Sequence, residues 1–209
     1  MIKKTIIFQT FILFFVIFFL PCAYGSPTIV VLGDSLSAAF RMSPEQNWVS
    51  LLDTRLKSKY PEGQVINSSV SGDTTANGLL RIKAVLARKN PDILILELGG
   101  NDALRGLPIL SIQTNLDKII EICQEKHTAL LLIEAPIPPN YGMAYSQKLK
   151  DMFQALSNKY KVPLIKGFLD DVGDHPELMF SDGIHPKPEA QPALLEKVWP
   201  PLNTLLKQQ

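Results

Sequence analysis

The amino-acid sequence predicts a single α/β domain with three layers, in which helices cover both faces of a parallel sheet of about five strands. Short apolar runs rich in Val, Ile and Leu alternate along the chain with segments whose apolar residues recur at helical spacing. The runs are apolar at nearly every position, which is typical of parallel strands that are buried on both faces. No repeat, low-complexity tract or linker divides the chain, so one domain is sufficient.

The first half of this domain is predicted to contain two strands and two helices. A β-branched run over residues 28–32 ends at Gly33 and is predicted to be the first buried strand. Apolar residues spaced three and four apart predict a helix over 48–59, and the weaker run 64–67 predicts a second strand. A helix over 79–89 follows, because its apolar residues fall on one face.

The third strand has the clearest signal of all. Residues 92–98 are apolar almost without interruption and stop at a pair of glycines. A helix is predicted over 112–126, and the segment 103–110 before it is predicted to be an open loop rich in Leu and Ile. The apolar run 129–133 is predicted to be the fourth strand, and the proline three residues later ends it.

The C-terminal part is predicted to add two helices and a short strand. The helices cover 145–160 and 190–206, and the strand covers 162–165. The last helical stretch contains Pro200 and Pro201. Because proline lacks an N–H and clashes with the preceding turn, we expect this helix to be interrupted there.

Residues 1–25 have the features of a cleavable export signal. Two lysines near the start precede an unbroken apolar run over 11–20, and small residues suited to a signal peptidase end the segment. The apolar run is short of the roughly 20 residues needed to span a bilayer. We therefore expect an exported, periplasmic protein with a single mature domain over 26–209 and no stable membrane anchor. A retained anchor and lipidation at Cys22 stay open as alternatives.

The composition bounds the partners of the mature domain. Without Lys3 and Lys4 the chain has 19 basic and 20 acidic residues and no basic stripe, so we expect no nucleic-acid partner. Cys123 is then the one remaining cysteine, so an internal disulfide cannot form. It lies in an apolar segment and is predicted to be a buried thiol rather than a nucleophile. We expect a monomer that is stabilised by packing alone.

Polar segments follow the predicted strands. Residues 33–35 (GDS) come after the first strand, 71–73 (SGD) after the second and 99–102 (GGND) after the third. A fourth polar segment, 182–185 (DGIH), precedes the last helix. Because the carboxyl ends of parallel strands lie at one edge of the sheet, where functional groups collect, we expect all four segments to converge there.

The four segments carry complementary chemistry for acyl transfer. A serine hydroxyl becomes a strong nucleophile when a base takes its proton, and His185 can do this for Ser35 near neutral pH. Asp182, three residues before His185, can orient the imidazole. The backbone N–H groups of Ser35 and Gly72 and the side-chain amide of Asn101 can stabilise the oxyanion. Loss of one such donor typically costs ~3 kcal/mol of transition-state stabilisation.

Each of these residues also has an ordinary structural interpretation. Ser35 can cap a helix, and Gly72 can serve a turn. Asn101 can cap a turn through its side chain, and His185 can be a plain loop residue. The joint pattern favours catalysis, because four independent turns have no reason to supply a nucleophile, a base, its orienter and oxyanion donors. The chain has no G-x-S-x-G motif, which argues against an ordinary α/β-hydrolase.

Taken in order, these segments resemble the sequence blocks of the SGNH, or GDSL, hydrolase family. The matching residues are 33–37 (GDSLS), Gly72, 100–102 (GND) and 182–186 (DGIHP). The resemblance covers essentially the whole mature chain and is closest to the bacterial periplasmic thioesterases, arylesterases and lysophospholipases. It implies the roles described above, a flavodoxin-like parallel sheet, no metal or other cofactor, and small-molecule or lipid acyl esters and thioesters as substrates.

Apolar loop residues near the site are predicted to form an acyl groove. The candidates are Leu104, Leu107, Ile137, Pro138 and Tyr141. They can also be ordinary apolar residues of surface loops. Other functions stay open: a carbohydrate O-acetylesterase on the same scaffold, a two-metal phosphoesterase, and a non-catalytic acyl-binding module. The phosphoesterase is disfavoured, because such a site needs several His and Asp ligands and the chain has three histidines.

Overall fold

A computed structural model describes residues 25–138 and 141–208. Its centre is a sheet formed by β1 (Thr28–Gly33), β2 (Gln64–Asn67), β3 (Ile93–Glu97), β4 (Ala129–Ile133) and β5 (Leu164–Ile165). All strands are parallel and lie in the order β2-β1-β3-β4-β5. The predicted parallel sheet of about five strands is therefore confirmed.

Six α-helices are found in the described residues and flank the sheet. They are α1 (Trp48–Lys59), α2 (Thr75–Lys89), α3 (Gly100–Leu104), α4 (Ile109–Glu125), α5 (Met143–Tyr160) and α6 (Gln191–Leu206). Helices α1 and α6 pack on one face of the sheet, and α2, α4 and α5 pack on the other. This confirms the three-layer α/β/α architecture.

Both faces of the sheet are buried, which explains why the interior positions of the central strands β1, β3 and β4 are apolar. In β1, Ile29 and Val31 face the layer of α1 and α6, whereas Val30 and Leu32 face the opposite layer. All four side chains are fully buried. Burial of one such side chain stabilises the fold by roughly 1.5–3 kcal/mol.

The prediction that Pro200 and Pro201 interrupt the last helix is wrong. Helix α6 continues through both prolines. On its sheet-facing side, Leu202 and Leu205 are buried in line with Val198. This apolar stripe holds the last turns in place although neither proline can donate a helical hydrogen bond.

The segments before and after β3 are more helical than predicted. The predicted open loop 103–110 begins inside α3 and ends inside α4, and α2 begins at Thr75 rather than at residue 79. The buried carboxylate of Asp102, in α3, accepts the N–H and the hydroxyl of Thr75 at 2.8 and 2.6 Å. These two bonds tie the start of α2 to α3 and bring the loops after β2 and β3 together.

Among the described residues, no helix is long and apolar enough to cross a membrane. The predicted signal peptide, residues 1–25, lies outside the described residues except for Gly25. The sheet begins three residues later, at Thr28.

Cys123 is fully buried in α4, as predicted. Burial raises the pKa of its thiol to about 12. Because the thiolate is the nucleophilic form, this cysteine is a packed apolar group rather than a reactive one.

Candidate active site

The chain turns sharply after β1, and Ser35 lies in this turn. The carbonyl of Asp34 accepts the N–H groups of Ser37 and Ala38 at 3.3 and 2.9 Å. The Asp34 side chain holds the turn as well, because its Oδ1 accepts the N–H of Leu36 at 3.1 Å. Residues 35–40 form turns and not a regular helix, so Ser35 is not a helix cap.

The side chains of Ser35, His185 and Asp182 form an unbroken line of hydrogen bonds. Ser35 Oγ lies 2.8 Å from His185 Nε2. His185 Nδ1 lies 3.0 Å from Asp182 Oδ2. A histidine that donates its Nδ1–H to a carboxylate presents an unprotonated Nε2 to the hydroxyl. The arrangement can therefore remove the serine proton.

The turn that carries Asp182 and His185 is held by its own hydrogen bonds. Asp182 Oδ1 accepts the N–H groups of Ile184 and His185, both at 3.0 Å. The carbonyl of His185 accepts the N–H of Phe180 at 2.8 Å. Gly183 has φ +66°, a backbone conformation that favours glycine. One short segment thus orients the side chains of both Asp182 and His185.

Asp182 is ionised in this turn. Partial burial raises its pKa, but bonds from the N–H groups of Ile184 and His185 and from the His185 ring outweigh this effect and lower the pKa to about 2. A carboxylate that stays charged next to the imidazole favours the protonated form of the ring. This is the electrostatic condition that a general base needs during the reaction.

Two further residues, which were not predicted as site residues, contact this pair. The ring of Phe40 lies 4.2 Å from that of His185, measured between centroids, at an interplanar angle of 34°. Arg41 Nη1 lies 3.4 Å from Asp182 Oδ2, and its guanidinium lies over the Phe40 ring. The Arg41 side chain is about half exposed, so its ion pair contributes little. Phe40 contributes more to holding His185 in place, because its ring covers the imidazole.

Two backbone N–H groups of residues that line the cavity beside His185 are available to an acyl oxygen. Within residues 25–138 and 141–208, neither Ser35 N–H nor Gly72 N–H donates to a protein acceptor. Both residues line the same cavity. Gly72 has φ +83°, and a Cβ there would face open space. Glycine is therefore favoured by the backbone conformation and not by crowding.

The side-chain amide of Asn101 is held by two acceptors. Its Nδ2 donates to Asp34 Oδ2 at 2.9 Å and to the carbonyl of Asp73 at 3.0 Å. Both amide protons are thus engaged by the protein. An oxyanion at this site would have to share one of them.

Asp34 lies between the N–H of Leu36 and the amide of Asn101 and is itself buried. Burial raises its pKa to about 6, although the N–H of Leu36 and the amide of Asn101 oppose the rise. Above this pH the Asp34 carboxylate is ionised and accepts from Asn101. Asp34 therefore holds the turn after β1 through the N–H of Leu36 and also orients the amide of Asn101.

A cavity of about 750 Å³ opens beside Ser35 and His185. Three of the five predicted groove residues, Leu104, Ile137 and Pro138, line it. Leu107 and Tyr141 lie outside the lining and are more than a third exposed.

The cavity has lining residues that the sequence analysis did not name. Met143, Phe168 and Met179 extend its apolar wall, and Glu134 and Lys150 add charged groups. Burial raises the pKa of Glu134, and the charge of Lys150 opposes this rise. Apart from Lys150, which lies within α5, these residues are in loops or at a helix start, where no periodicity in the sequence could have identified them.

The chain is similar over most of its length to known proteins. The chain matches the model of the GDSL-like Lipase/Acylhydrolase family over residues 31–192. It is 42% identical over 182 residues to "Esterase TesA" of Pseudomonas aeruginosa, covering 87% of this chain and 90% of that protein. It is 37% identical over 174 residues to "Thioesterase 1/protease 1/lysophospholipase L1" of Escherichia coli K12, covering 83% of this chain and 82% of that protein.

A solved structure shares the fold over nearly its whole length. The crystal structure of the psychrotrophic esterase EstA from Pseudoalteromonas sp., inhibited by monoethylphosphonate, aligns with a TM-score of 0.82 at 35% identity. The alignment covers 87% of this chain and 99% of that one. With the family model spanning all four loops of the site, the chain belongs to the GDSL-like lipase/acylhydrolase family, the SGNH hydrolases, and is an enzyme of the ester and thioester hydrolase class.

Proposed function

We propose that this enzyme hydrolyses acyl esters and thioesters with Ser35 as nucleophile, His185 as general base and Asp182 as the residue that orients the histidine. The observation that carries the proposal is the line of hydrogen bonds from Ser35 Oγ through the imidazole to Asp182 Oδ2, at 2.8 and 3.0 Å. Both distances fall within the direct range that a nucleophile, its base and an orienting group require.

In the acylation step, His185 Nε2 takes the proton from Ser35 Oγ while this oxygen bonds to the acyl carbonyl carbon. The carbonyl electron pair moves onto the carbonyl oxygen. When it returns, the bond to the leaving oxygen or sulfur breaks, and the protonated imidazole gives its proton to the leaving group. The acyl group is then held on Ser35 Oγ, and Asp182 stays ionised throughout.

In the deacylation step, His185 takes a proton from a water molecule as the water oxygen bonds to the acyl carbon. The bond between that carbon and Ser35 Oγ then breaks, and the serine oxygen recovers the proton from the imidazole. A free carboxylic acid leaves, and the enzyme is restored.

The charge on the carbonyl oxygen is stabilised first by the N–H groups of Ser35 and Gly72, which have no acceptor among the described residues. Asn101 is the third donor. It acts by sharing one of the two amide protons now directed to Asp34 and to the carbonyl of Asp73. Donors that are fixed before the reaction stabilise the developing charge without a cost of reorganisation.

The cavity favours a substrate with an acyl chain longer than acetyl. Its volume of about 750 Å³ far exceeds an acetyl group, and Leu104, Ile137 and Met143 give it an apolar wall. The relatives named esterase and thioesterase support small-molecule or lipid acyl esters and thioesters. The alternative, a carbohydrate O-acetylesterase, predicts faster turnover of acetylated sugars than of medium-chain nitrophenyl esters.

The proposal is tested with Ser35→Ala and a matched control, Ser58→Ala, which removes an exposed serine hydroxyl in α1. Nitrophenyl esters and an acyl-thioester serve as substrates, and a fluorophosphonate probe reports on the nucleophile. Ser35→Ala is expected to lose hydrolysis and labelling with an unchanged unfolding temperature, while Ser58→Ala behaves as wild type. Hydrolysis by Ser35→Ala would overturn the assignment, and a wild-type protein that binds acyl chains without labelling would favour the acyl-binding module.

We also propose that residues 1–25 are removed on export and that residues 26–209 act as a monomer in the periplasm. The sheet begins at Thr28, just after the predicted cleavage site, and this supports removal of residues 1–25. N-terminal sequencing of the protein from a periplasmic extract tests it. A mature chain that still begins before residue 26 would contradict it.

A further inference from the structure

Glu97, the last residue of β3, lies directly against the strand that leads to Ser35. In the register of β1 and β3, Gly33 is the partner of Glu97. A Cβ on Gly33 would lie 2.6 Å from Glu97 Oε2 and 2.8 Å from Ser37 Oγ, well inside van der Waals contact. Glycine is required at this position because the Glu97 carboxyl group fills the space that a side chain would need.

One oxygen of Glu97 holds both sides of the turn that carries Ser35. Glu97 Oε2 accepts the N–H of Asp34 at 3.2 Å and the hydroxyl of Ser37 at 2.8 Å. Asp34 precedes Ser35, and Ser37 follows it by two residues. The backbone on both sides of Ser35 is therefore held by a side chain that, in the described part of the chain, makes no hydrogen bond to Ser35 or His185.

The inference rests on the proposed role of Ser35. We propose that Glu97 is a positioning residue for this nucleophile, and that it acts as an uncharged carboxylic acid through the single acceptor oxygen Oε2. Glu97 does not line the cavity, so it does not touch a substrate there and is not a catalytic residue.

The surroundings of Glu97 disfavour its charged form. The side chain is fully buried, and Oε1 has no hydrogen-bond partner in the described part of the chain. A buried ionised oxygen without a partner is costly, whereas a proton on Oε1 removes the charge and leaves Oε2 as a carbonyl-type acceptor. Burial, and then the charge of Asp34, raises the pKa of Glu97 well above its ordinary range.

Asp34 is the titratable group that faces Glu97, and it is ionised first. Asp34 is in turn influenced by the charges of His185 and Asp73. Two buried carboxyl groups this close disfavour a second charge, so one stays protonated. The proton stays on Glu97, which leaves Asp34 charged to accept from Asn101.

The inference is tested by comparing Glu97→Gln with Glu97→Ala. Glutamine keeps the shape and a carbonyl oxygen but cannot ionise, whereas alanine removes the acceptor. We expect Glu97→Gln to keep kcat within about threefold, because its amide oxygen can accept both bonds. We expect Glu97→Ala to lower kcat by about 10²-fold, the loss that a misplaced reacting group causes, with little change in KM.

Rates are divided by the number of sites that a fluorophosphonate labels, so that a smaller folded fraction does not lower the measured kcat. Ile120→Val, in the core far along α4, is the control for a loss of stability alone and should keep its kcat. An infrared band of a protonated carboxyl, measured above the pKa of Asp34, should be present in wild type and missing in Glu97→Gln.

The outcomes distinguish the positioning role of Glu97, its uncharged form and the proposed function of the enzyme. A kcat per labelled site that is unchanged in Glu97→Ala would overturn the positioning role, and an equal loss in Glu97→Gln would overturn the uncharged form. If Glu97→Ala does not fold, Ser37→Ala removes one of the two bonds and should lower kcat by roughly fivefold, the worth of one hydrogen bond. An unchanged kcat there would also contradict the inference. A wild-type chain without esterase activity would instead overturn the proposed function, and this inference with it.

Discussion

Asn101 Nδ2 lies 2.9 Å from Asp34 Oδ2, so the residue before Ser35 fixes the amide that we propose as an oxyanion donor. The same nitrogen lies 3.0 Å from the carbonyl of Asp73, two residues before the start of α2. Three loops thus meet at one amide group. The fold orients this donor before any substrate enters, as electrostatic stabilisation of a transition state requires.

Replacing the amide should therefore slow the chemical step. Asn101→Ala is expected to lower kcat by about 10²- to 10³-fold, the usual loss for one oxyanion donor. Steady-state kinetics on a nitrophenyl ester measure it, with the unfolding temperature as a check on folding. A rise in KM with an unchanged kcat would show that Asn101 binds the ground state and does not stabilise the oxyanion.

Asp182→Asn should remove the orienting charge and leave the turn in place. Because the imidazole then loses its preferred tautomer and the charge that stabilises its protonated form, kcat should fall by about 10²- to 10⁴-fold. The kinetics of the purified variant, normalised by labelled sites, provide the test. Activity close to that of wild type would exclude Asp182 from the triad.

The same variant should change the response of stability to acid. The folded-state pKa of Asp182 is lowered to about 2, below an unfolded value of about 3.9. The ionised carboxyl therefore stabilises the fold above about pH 3.9, and this contribution is lost as the pH falls through the folded pKa. Asp182→Asn should lose less stability than wild type in this window. Thermal unfolding at a series of acidic pH values measures it, and parallel curves would contradict the prediction.

Glu97→Gln should have the opposite pH signature. The pKa of Glu97 is raised in the folded state, so above about pH 4.3 this group binds more protons in the folded chain than in the unfolded chain. The contribution of Glu97 to stability should fall as the pH rises towards its folded pKa, and glutamine removes this slope. Relative to wild type, the unfolding temperature of the variant should therefore rise as the pH increases from 4 to neutral. A difference that does not depend on pH would argue against the buried proton.

Phe40 should matter through the histidine that it covers. Aromatic pairs of this kind are worth ~0.5–1.5 kcal/mol, so Phe40→Ala should lower kcat/KM by roughly 2- to 10-fold. Phe40→Tyr, which keeps the ring, serves as the control and should stay close to wild type. Equal losses in both variants would show that the position tolerates no change, rather than that the ring supports His185.

Treatment with a chelator should leave ester hydrolysis unchanged, because the proposed steps use only protein groups and water. A metal-dependent phosphoesterase in the same assay shows that the chelator works. Within the described residues, no group of three or more His, Cys, Asp and Glu side chains is arranged to hold a metal ion. Loss of activity that a divalent metal restores would support the two-metal alternative instead.

Much of the fold could be predicted because parallel strands must be apolar on both faces. The runs that became β1, β3 and β4 needed no tertiary information, since burial on both sides leaves few polar positions. The error at Pro200 and Pro201 has the opposite origin. The two prolines disfavour a helix there, because they lack an N–H and clash with the preceding turn. The packing of Leu202 and Leu205 on the sheet outweighs this effect.

The residues of the site also divide into those that the sequence could predict and those that it could not. Ser35, His185 and Asp182 could be proposed from residue type and chain order, because nucleophile, base and acid have distinct chemistry. Glu97 could not, since a carboxylate at the end of an apolar run looks like the polar end of a strand. Only the register that sets Gly33 opposite Glu97 shows that this carboxyl group lies under the nucleophile turn.

The sequence by itself therefore determined the fold class, the order of the elements and which side chains could do acyl-transfer chemistry, because apolar pattern and functional-group type are local properties. Only the tertiary structure decided that Ser35 Oγ meets an imidazole 150 positions away, that both Asn101 protons are engaged and that Phe40 covers His185. These relationships depend on strand order and register, which are set by the packing of the whole chain.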